Sequence, residues 1–348
     1  MSTQLGKIVH SDFKKFIANR CGKERQEVTV GPQFGVDVSV VGMPNGLAMA
    51  MASDPLSLIP SLGLQESAWL SVQLAANDIA TTGCSPMYGQ FVLNLSANFS
   101  NKDFQVYWDY IHQYCSALGI AITGGHTGFI EGQNSTIAGS ATFITVAKED
   151  LLLTSQSANV GDAILVTKSC AISSAAILAK SFPETVKNRV GKENYHKACE
   201  SFYDISVMKD GLMAAKGDGV ISAMHDVTEG GVLGAIYEMA VASGNGALID
   251  NEKLPVRETQ SKVCEVFNID PRYSIGAGAM IISCKKEAVP KVIGQLESHN
   301  IPCAQVGELT EKEKGIRLQE EGRTTEVLYN QKDPYWEAFY KALQLEWK

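Results

Sequence analysis

The sequence has no paired cysteines, no long apolar run and no excess of basic residues, and each absence excludes a class of protein. Its eight cysteines stand singly, without a C-x-x-C pair, and they do not cluster with the histidines. This spacing argues against a disulfide framework or a zinc site and favours buried free thiols. No apolar run reaches the length of a membrane span, and residues 1–7 lack the pattern of a secretion signal. We therefore expect a cytoplasmic protein with no membrane partner.

The charge balance is acidic, with a formal net charge of -8 and a sequence pI near 5.4. Nucleic-acid-binding surfaces normally carry a basic stripe, so we expect no nucleic-acid partner. A small anion that is chelated by a metal ion remains compatible with this charge. The length of 348 residues and the 45% hydrophobic content are typical of a globular protein with two domains or one large one.

Apolar patterning predicts a mixed α/β protein with two domains, residues 1–152 and 153–348. The polar, turn-rich segment 154–162 marks the boundary. The segment 311–348 carries no motif that indicates a role. The main predicted elements are strands at 38–41, 47–52, 90–95, 120–123, 135–147, 163–167, 219–224, 279–283 and 304–307, and helices at about 66–82, 102–118, 172–181, 232–243 and 289–298.

The segment His225-Asp226-Val227-Thr228-Glu229-Gly230-Gly231 follows a predicted strand and precedes a helical pattern. Two carboxylates, a hydroxyl and two glycines at the start of a helix are suited to holding a metal ion and phosphate. The alternative is helix capping, in which Asp226 or Thr228 accepts a hydrogen bond from an early helix amide and Glu229 complements the helix dipole. The segment alone does not decide between the two.

Three further aspartates interrupt apolar sequence. Asp78 lies within the apolar helix 66–82, and a buried aspartate must meet a cation, several donors or a metal ion. Asp37 and Asp54 stand at predicted strand ends, where each alone could be a turn residue. A site built from several aspartates would hold Mg²⁺, because hard oxygen ligands suit that ion.

Gly124-Gly125-His126-Thr127 follows a strand-like run and predicts a glycine turn. Adjacent glycines let backbone amides approach a phosphate, although a single Gly-Gly pair is weak support and an isolated histidine is more often structural. The sequence lacks G-x-x-x-x-G-K-[ST], and Gly276-Ala277-Gly278 lacks the third glycine of a dinucleotide fingerprint. Any ATP site is therefore of another kind. G-x-S-x-G and H-E-x-x-H are also absent, which disfavours the corresponding hydrolases.

Taken in order, these segments resemble the AIR synthase-related (PurM-like) superfamily, and within it most of all the hydrogenase maturation factors of the HypE type and their archaeal-type relatives. The resemblance runs from about Gly6 to about Ser283. Single motifs are weak, but their order and spacing are specific. The motifs are Gly6-Lys7-Ile8, Gly31-Pro32, Gly35-Val36-Asp37-Val38-Ser39-Val40-Val41, Ser53-Asp54-Pro55, Asn77-Asp78-Ile79-Ala80, Gly83-Cys84-Ser85-Pro86, Gly124-Gly125-His126-Thr127, Gly161-Asp162, His225 to Gly231 and Leu254-Pro255-Val256-Arg257.

The resemblance implies an α+β protomer of two domains and a homodimer in which N-terminal strands of both subunits form a shared barrel. It also implies ATP and Mg²⁺ in a cleft between the domains. The implied metal ligands are Asp37, Asp54, Asp78 and Asp226. The implied catalytic residues are Asp78, Asp226 and Glu229, and the implied cofactor-binding residues are Lys7, Asp37, Asp54, Asn77, Gly124, Gly125, His126, Thr127, Thr228, Gly230 and Gly231.

The family's shared chemistry is activation of an amide-type or carbonyl oxygen by ATP-dependent phosphorylation. Such an enzyme needs charge neutralisation and in-line positioning more than a strong base. The acceptor is a small molecule or a protein-borne group. Two alternatives are a small-molecule kinase of the thiamine-monophosphate kinase type and a non-catalytic protein that binds a nucleotide or a partner.

The sequence departs from the family pattern in three ways. The maturation factors react on a C-terminal cysteine, whereas this sequence ends in Leu-Glu-Trp-Lys, so we expect a different acceptor. Val36 stands where many relatives carry an acidic residue, which leaves the number of metal ions open. The reactive N-terminal cysteine and glycine-rich stretch of selenophosphate synthetases are absent.

Overall fold

A computed structural model describes residues 6–216, 219–329 and 332–348 of the chain. Across these residues it contains thirteen strands in two sheets and ten α-helices. The predicted mixture of helix and strand is confirmed. The first sheet is built from residues before the predicted boundary at 152 and the second from residues after it, although the exact division into domains stays a prediction.

The first half of the chain forms a six-stranded sheet in which β4 and β5 pair in parallel and the other neighbours are antiparallel. The strand order is β1-β2-β3-β6-β4-β5. The strands are β1 (Val28–Val30), β2 (Ser39–Met43), β3 (Leu47–Ser57), β4 (Tyr88–Ser96), β5 (Ala121–Ile130) and β6 (Ile137–Lys148), and the helices are α1 (His10–Phe16), α2 (Gly63–Ala80) and α3 (Asn101–Ala117).

One face of this sheet packs against helices. Along β3, Ala48, Ala50 and Ala52 are buried and alternate with more exposed neighbours, as the two-residue period of a strand requires. They share an apolar core with residues of α2 and α3, including Ile79 and Tyr107. This packing places the C-terminal end of α2 beside the second half of the chain.

The opposite face of the first sheet is apolar in part. An antiparallel sheet with one face in water normally carries polar residues there. Here the outward positions of four adjacent strands include seven apolar residues beside polar ones such as Gln90 and Thr142, yet none of the seven is fully buried in the protomer. They are Val41, Met49, Met51, Tyr88, Val92, Ile144 and Val146, and we call them the outer apolar face.

The second half forms a seven-stranded sheet in the order β13-β12-β9-β11-β7-β10-β8, in which only β9 and β12 pair in parallel among the described strands. The central strands β7 and β10 are buried throughout. The strands are β7 (Ala163–Thr167), β8 (Ile221–Asp226), β9 (Gly246–Asp250), β10 (Met280–Cys284), β11 (Cys303–Thr310), β12 (Ile316–Glu320) and β13 (Arg323–Glu326). The helices are α4 (Ile172–Ser181), α5 (Pro183–Glu200), α6 (Met208–Ala215), α7 (Gly231–Ser243), α8 (Glu258–Val266), α9 (Val289–Glu297) and α10 (Pro334–Gln344).

Two local predictions were wrong. The glycine pair does not form a turn, because β5 continues through Gly124 and Gly125 to Ile130. A Cβ atom on Gly125 would lie 1.8 Å from the carbonyl oxygen of Phe91, so glycine is needed there for strand pairing with β4. Asp54 lies inside β3, which extends five residues beyond the predicted end at residue 52.

The segment 311–348, which carried no interpretable motif, contains β12, β13 and α10 in its described part. All eight cysteines are free, as predicted, although Cys21 is exposed while four others are buried. Among the described helices, none is both long and apolar enough to cross a membrane.

Candidate active site

Three carboxylates from three separate elements meet between the two halves of the chain. Asp37 precedes β2, Asp78 lies in the last turn of α2, and Asp226 ends β8. One oxygen from each carboxylate lies within 4.8 Å of the other two. This spacing and the all-oxygen ligand set suit Mg²⁺. The structure thus brings together three of the four predicted metal ligands, here called the carboxylate cluster.

The charges in and around the carboxylate cluster repel one another. Burial, and then the charge of Asp37, raise the pKa of Asp226 to about 7. Burial raises the pKa of Asp54 to about 6 against the opposing effect of Lys7. The pKa of Asp78 is raised well above its ordinary value by burial and by the charges of Asp226 and Asp54. A bound divalent cation would offset this repulsion, so the residues fit the predicted metal ion.

His225 connects Asp37 to the second half of the chain. Its Nδ1 lies 2.8 Å from Oδ2 of Asp37, and its Nε2 lies 3.0 Å from Oε2 of Glu238. The ring is 1% exposed, and burial by itself would lower its pKa. The two carboxylates outweigh burial and raise the pKa of His225 to about 10. The imidazolium therefore donates from both nitrogens and fixes the carboxylate of Asp37.

Lys7 supplies a positive charge at the edge of the carboxylate cluster. Its Nζ lies 3.0 Å from Oγ1 of Thr228 and 3.4 Å from both carboxylate oxygens of Glu238. Burial lowers the pKa of Lys7, but the negative charges of Glu238 and its neighbours raise it by more. The net pKa of Lys7 is therefore raised, and the ammonium group stays protonated. Its predicted contact with a phosphate stays a prediction.

Glu229 lies beside the N-terminal segment, and its carboxylate is engaged by other residues. Its Oε2 accepts the backbone N–H of Lys7 at 2.6 Å, and its Oε1 accepts Nε1–H of Trp336 at 3.2 Å. The structure therefore places Glu229 at a junction of the N-terminal and C-terminal parts of the chain. Its predicted catalytic role stays a prediction.

The capping alternative for Asp226 and Thr228 was wrong. Helix α7 begins after Gly230, whose φ is +86°. The residue in the N-cap position is therefore a glycine, and it offers no side chain to cap the helix. The N–H of Gly230 donates to Oδ2 of Asp333 at 2.8 Å, so a residue from the far end of the chain accepts the hydrogen bond. Gly231 is needed for close packing, because a Cβ there would lie 2.5 Å from the carbonyl oxygen of Arg272.

Two further groups of predicted residues do not belong to the carboxylate cluster. Asn77 is fully buried, and its Nδ2 donates to Ile205 O at 2.9 Å while its Oδ1 accepts the N–H of Val207 at 2.8 Å. Both ends of this amide hold α2 to the second half, which does not support a contact with the cofactor. Gly124, Gly125, His126 and Thr127 lie on the exposed edge strand β5, in register with residues 90–93, and their phosphate contact stays a prediction.

Sequence reasoning assigned no role to five residues that line or support the site. His225 belongs to the motif that precedes α7, but only its neighbours were given roles. Glu238 carries a detectable signal, since it is a charged residue in the apolar helix α7. Tyr329, Asp333 and Trp336 carry none, because their partners are about a hundred residues away in the sequence.

The fold and the cluster define a two-domain α+β protein with an acidic site between its halves. Residues 35–146 match the family described as AIR synthase related protein, N-terminal domain, and residues 159–318 match AIR synthase related protein, C-terminal domain. The chain belongs to this AIR synthase-related family.

Curated relatives of the chain include carbamoyl dehydratases and hydrogenase expression/formation proteins. The carbamoyl dehydratase HypE of Cupriavidus necator is 25% identical over 283 residues, which cover 80% of this chain and 77% of that protein. A putative hydrogenase expression/formation protein of Methanocaldococcus jannaschii is 25% identical over 256 residues, which cover 72% of each.

Solved structures share the fold at lower identity. HypE of E. coli superposes with a TM-score of 0.70 at 23% identity, over 82% of this chain and 87% of that one. A HypE in complex with ATP has a TM-score of 0.66 at 18% identity, over 85% and 89%. The protein AaThiL, complexed with AMPPCP and TMP, has a TM-score of 0.67 at 15% identity, over 85% and 91%.

Proposed function

We propose that this protein is a Mg²⁺- and ATP-dependent enzyme that activates an amide-type or carbonyl oxygen of its acceptor by phosphorylation. The observation that carries the proposal is the carboxylate cluster, in which oxygens of Asp37, Asp78 and Asp226 lie within 4.8 Å of one another. The names of the curated relatives, which include carbamoyl dehydratases, and the ATP-bound structure of one HypE add support.

The residues of the site then divide between metal binding, charge neutralisation and positioning. Asp37, Asp78 and Asp226 would hold Mg²⁺, with Asp54 nearby, and the bound ion would neutralise charge on the phosphates. Lys7 would add a second positive charge from the N-terminal segment. His225 holds Asp37 in one orientation through the hydrogen bond of 2.8 Å. Positioning of this kind is the main contribution a protein makes to phosphoryl transfer.

An ADP-release assay tests the proposal. Purified protein with Mg²⁺ and ATP would be incubated with carboxamides, other amides and small-molecule extracts of cells. We expect ADP above the background of a protein-free control, and we expect it to depend on Mg²⁺. Absence of ADP formation with every acceptor would count against an enzyme.

A kinase of the thiamine-monophosphate type would use the same metal site, and the fold shared with AaThiL in complex with AMPPCP and TMP keeps it as the alternative. Thiamine monophosphate in the same assay separates the two, because a kinase leaves a phosphorylated product whereas oxygen activation ends in released phosphate. Calorimetry with Mg²⁺ and ATP tests the third possibility: tight binding without turnover would indicate a non-catalytic nucleotide-binding protein.

We also propose that the protein is a homodimer. The outer apolar face presents seven apolar side chains on one side of the first sheet, and Tyr88 and Val92 are 39% exposed in the protomer. Apolar side chains that are exposed together on one face of a sheet are typical of a protein interface. A second copy of the chain would cover the outer apolar face if the two sheets packed face to face.

A further inference from the structure

We propose that the C-terminal segment, residues 327–329 and 332–348, holds the N-terminal segment and Lys7 at the active site, and that Trp336 and Tyr329 are its positioning residues. The match to the AIR synthase-related C-terminal domain ends at residue 318, so this segment lies outside the family's two matched regions. The effect on catalysis rests on the function proposed above, whereas the effect on the N-terminal segment does not.

The C-terminal segment contacts the site at three places. Nε1 of Trp336 donates to Oε1 of Glu229 at 3.2 Å. The hydroxyl of Tyr329 donates to Oε1 of Glu238 at 2.7 Å. Asp333 accepts the N–H of Gly230, which lies between these two glutamates in sequence. The contacts therefore span the start and the middle of α7.

Both glutamates also bind Lys7, and this links the two ends of the chain. Glu229 accepts the backbone N–H of Lys7, while Glu238 lies 3.4 Å from its ammonium group. Trp336 and Tyr329 thus act on Lys7 through one carboxylate each. Gly6 fits directly against this junction, because a Cβ atom there would lie 2.3 Å from Oε2 of Glu229 and 3.1 Å from Nε1 of Trp336.

The segment is firmly packed, so it can hold other residues in place. Tyr335, Phe339 and Ala342 of α10 are buried in a core that they share with Phe182. Asp333 is 2% exposed and accepts hydrogen bonds from Gly230 at the start of α7 and from Tyr335 at the start of its own helix. The carboxylate of Asp333 therefore accepts hydrogen bonds at the N-termini of two helices. The helix dipoles favour a negative charge at both places.

Trp347 provides a matched control for Trp336. It belongs to the same segment, but it packs against Phe182 and Phe267 and lies under the guanidinium group of Arg189. Trp336→Phe removes the donor to Glu229 and keeps an aromatic ring, while Trp347→Phe makes the same change away from the site.

Amide hydrogen exchange of residues 6–9, measured on the full chain without nucleotide, is the first test. We expect exchange to be about tenfold faster in Trp336→Phe than in wild type, because the carboxylate that accepts the Lys7 amide loses its second donor. Exchange in Trp347→Phe should match wild type. Equal exchange in Trp336→Phe and wild type would overturn the proposal, and so would equal acceleration in both variants.

A second pair of variants keeps the test decisive if Trp336→Phe does not fold. Tyr329→Phe removes the hydroxyl on Glu238, and Tyr340→Phe makes the same change at a tyrosine that is 42% exposed on α10. We expect faster exchange of residues 6–9 in Tyr329→Phe alone, and unchanged exchange there would overturn the role of Tyr329.

Calorimetry with Mg²⁺ and ATP then tests the consequence for the site. Trp336→Phe and Tyr329→Phe should bind Mg²⁺-ATP about threefold to tenfold more weakly than their control variants. Each of them loses a hydrogen bond that orients a charged group. If wild type binds no Mg²⁺-ATP, the proposed function fails while the exchange result still decides whether the C-terminal segment holds the N-terminal one.

Discussion

Asp78 lies in a mostly apolar helix next to the buried Asn77, yet it is partly exposed and its carboxylate reaches those of Asp37 and Asp226. The helix is buried because it packs between the first sheet and the second half of the chain. The aspartate is placed in its last turn, where the helix meets β8. Its raised pKa is the electrostatic cost of this position without a cation.

Substitution of Asp78 by asparagine should abolish Mg²⁺-dependent ATP binding and leave the fold intact. Asparagine keeps the size of the side chain but removes a charged metal ligand. Calorimetry measures binding, and circular dichroism and melting temperature report the fold. Asp109→Asn, on the exposed side of α3, is the matched control. Wild-type affinity in Asp78→Asn would remove Asp78 from the site, and loss of the fold would restore a structural role.

The melting temperature of the metal-free protein should fall as pH rises from about 5 to about 8. The pKa values of Asp54 and Asp226 are raised to about 6 and about 7 in the folded protein, so the folded state keeps protons that the unfolded state has released. The free energy of unfolding therefore decreases through this range. Glu238, whose pKa is lowered to about 2 by Lys7 and His225 against the opposing effect of burial, affects stability only at lower pH.

Thermal melts at several pH values, with and without saturating Mg²⁺, measure this effect. Bound metal keeps the carboxylates ionised in the folded protein, so Mg²⁺ should stabilise the protein more at the higher pH. A melting temperature of the metal-free protein that stays constant or rises with pH would contradict the prediction.

Individual site residues were predictable where a charge interrupts apolar sequence. Asp37, Asp78 and Asp226 met this condition, and Glu238 carries the same signal although it is absent from the predicted set. Tyr329 could not be found in this way. An aromatic residue near the end of a chain fits a packed tail equally well, and its partner is 91 residues away in the sequence.

At the scale of elements, β5 shows how one pattern can have two physical causes. Adjacent glycines permit both a tight turn and close approach of two backbones. Sequence alone favoured the turn, and the structure has the close approach, at Gly125 against Phe91. Strand β7 and helix α4 were predicted with their observed bounds, because β7 is an apolar run and α4 is rich in apolar residues. Strands β12 and β13 were missed because most of their residues are polar and exposed, and α10 was missed although one of its faces is buried.

Gly125→Ala should destabilise the protein by about 2 kcal/mol, because the new methyl group would force β5 away from β4. Gly128→Ala on the same strand is the control, since a Cβ at that position meets only the end of the His126 side chain, at 3.6 Å. Chemical denaturation of both variants measures the difference. Equal stability of the two alanine variants would indicate that β5 does not need glycine for pairing, and it would return Gly124 and Gly125 to the phosphate-binding interpretation.

At the scale of the whole molecule, the outer apolar face makes a prediction about assembly. Val92→Asp introduces a charge at a residue that is 39% exposed in the protomer and should convert the dimer to a monomer, because the carboxylate would be buried in the interface. Val160→Asp makes the same change at a residue that is 50% exposed and precedes the second sheet. Light scattering coupled to size-exclusion chromatography gives the mass of each variant, and a monomeric wild type would contradict the proposed homodimer.

Asp333 also has a consequence for the order in which the protein forms during synthesis. The first turn of α7 waits for an acceptor that lies 103 residues later in the chain. Until Asp333 and Trp336 have been translated, the N–H of Gly230 lacks this acceptor and Glu229 lacks the indole donor. The acidic site therefore reaches its final arrangement only after residue 336 has left the ribosomal tunnel, which makes this segment the last part of the active site to be added.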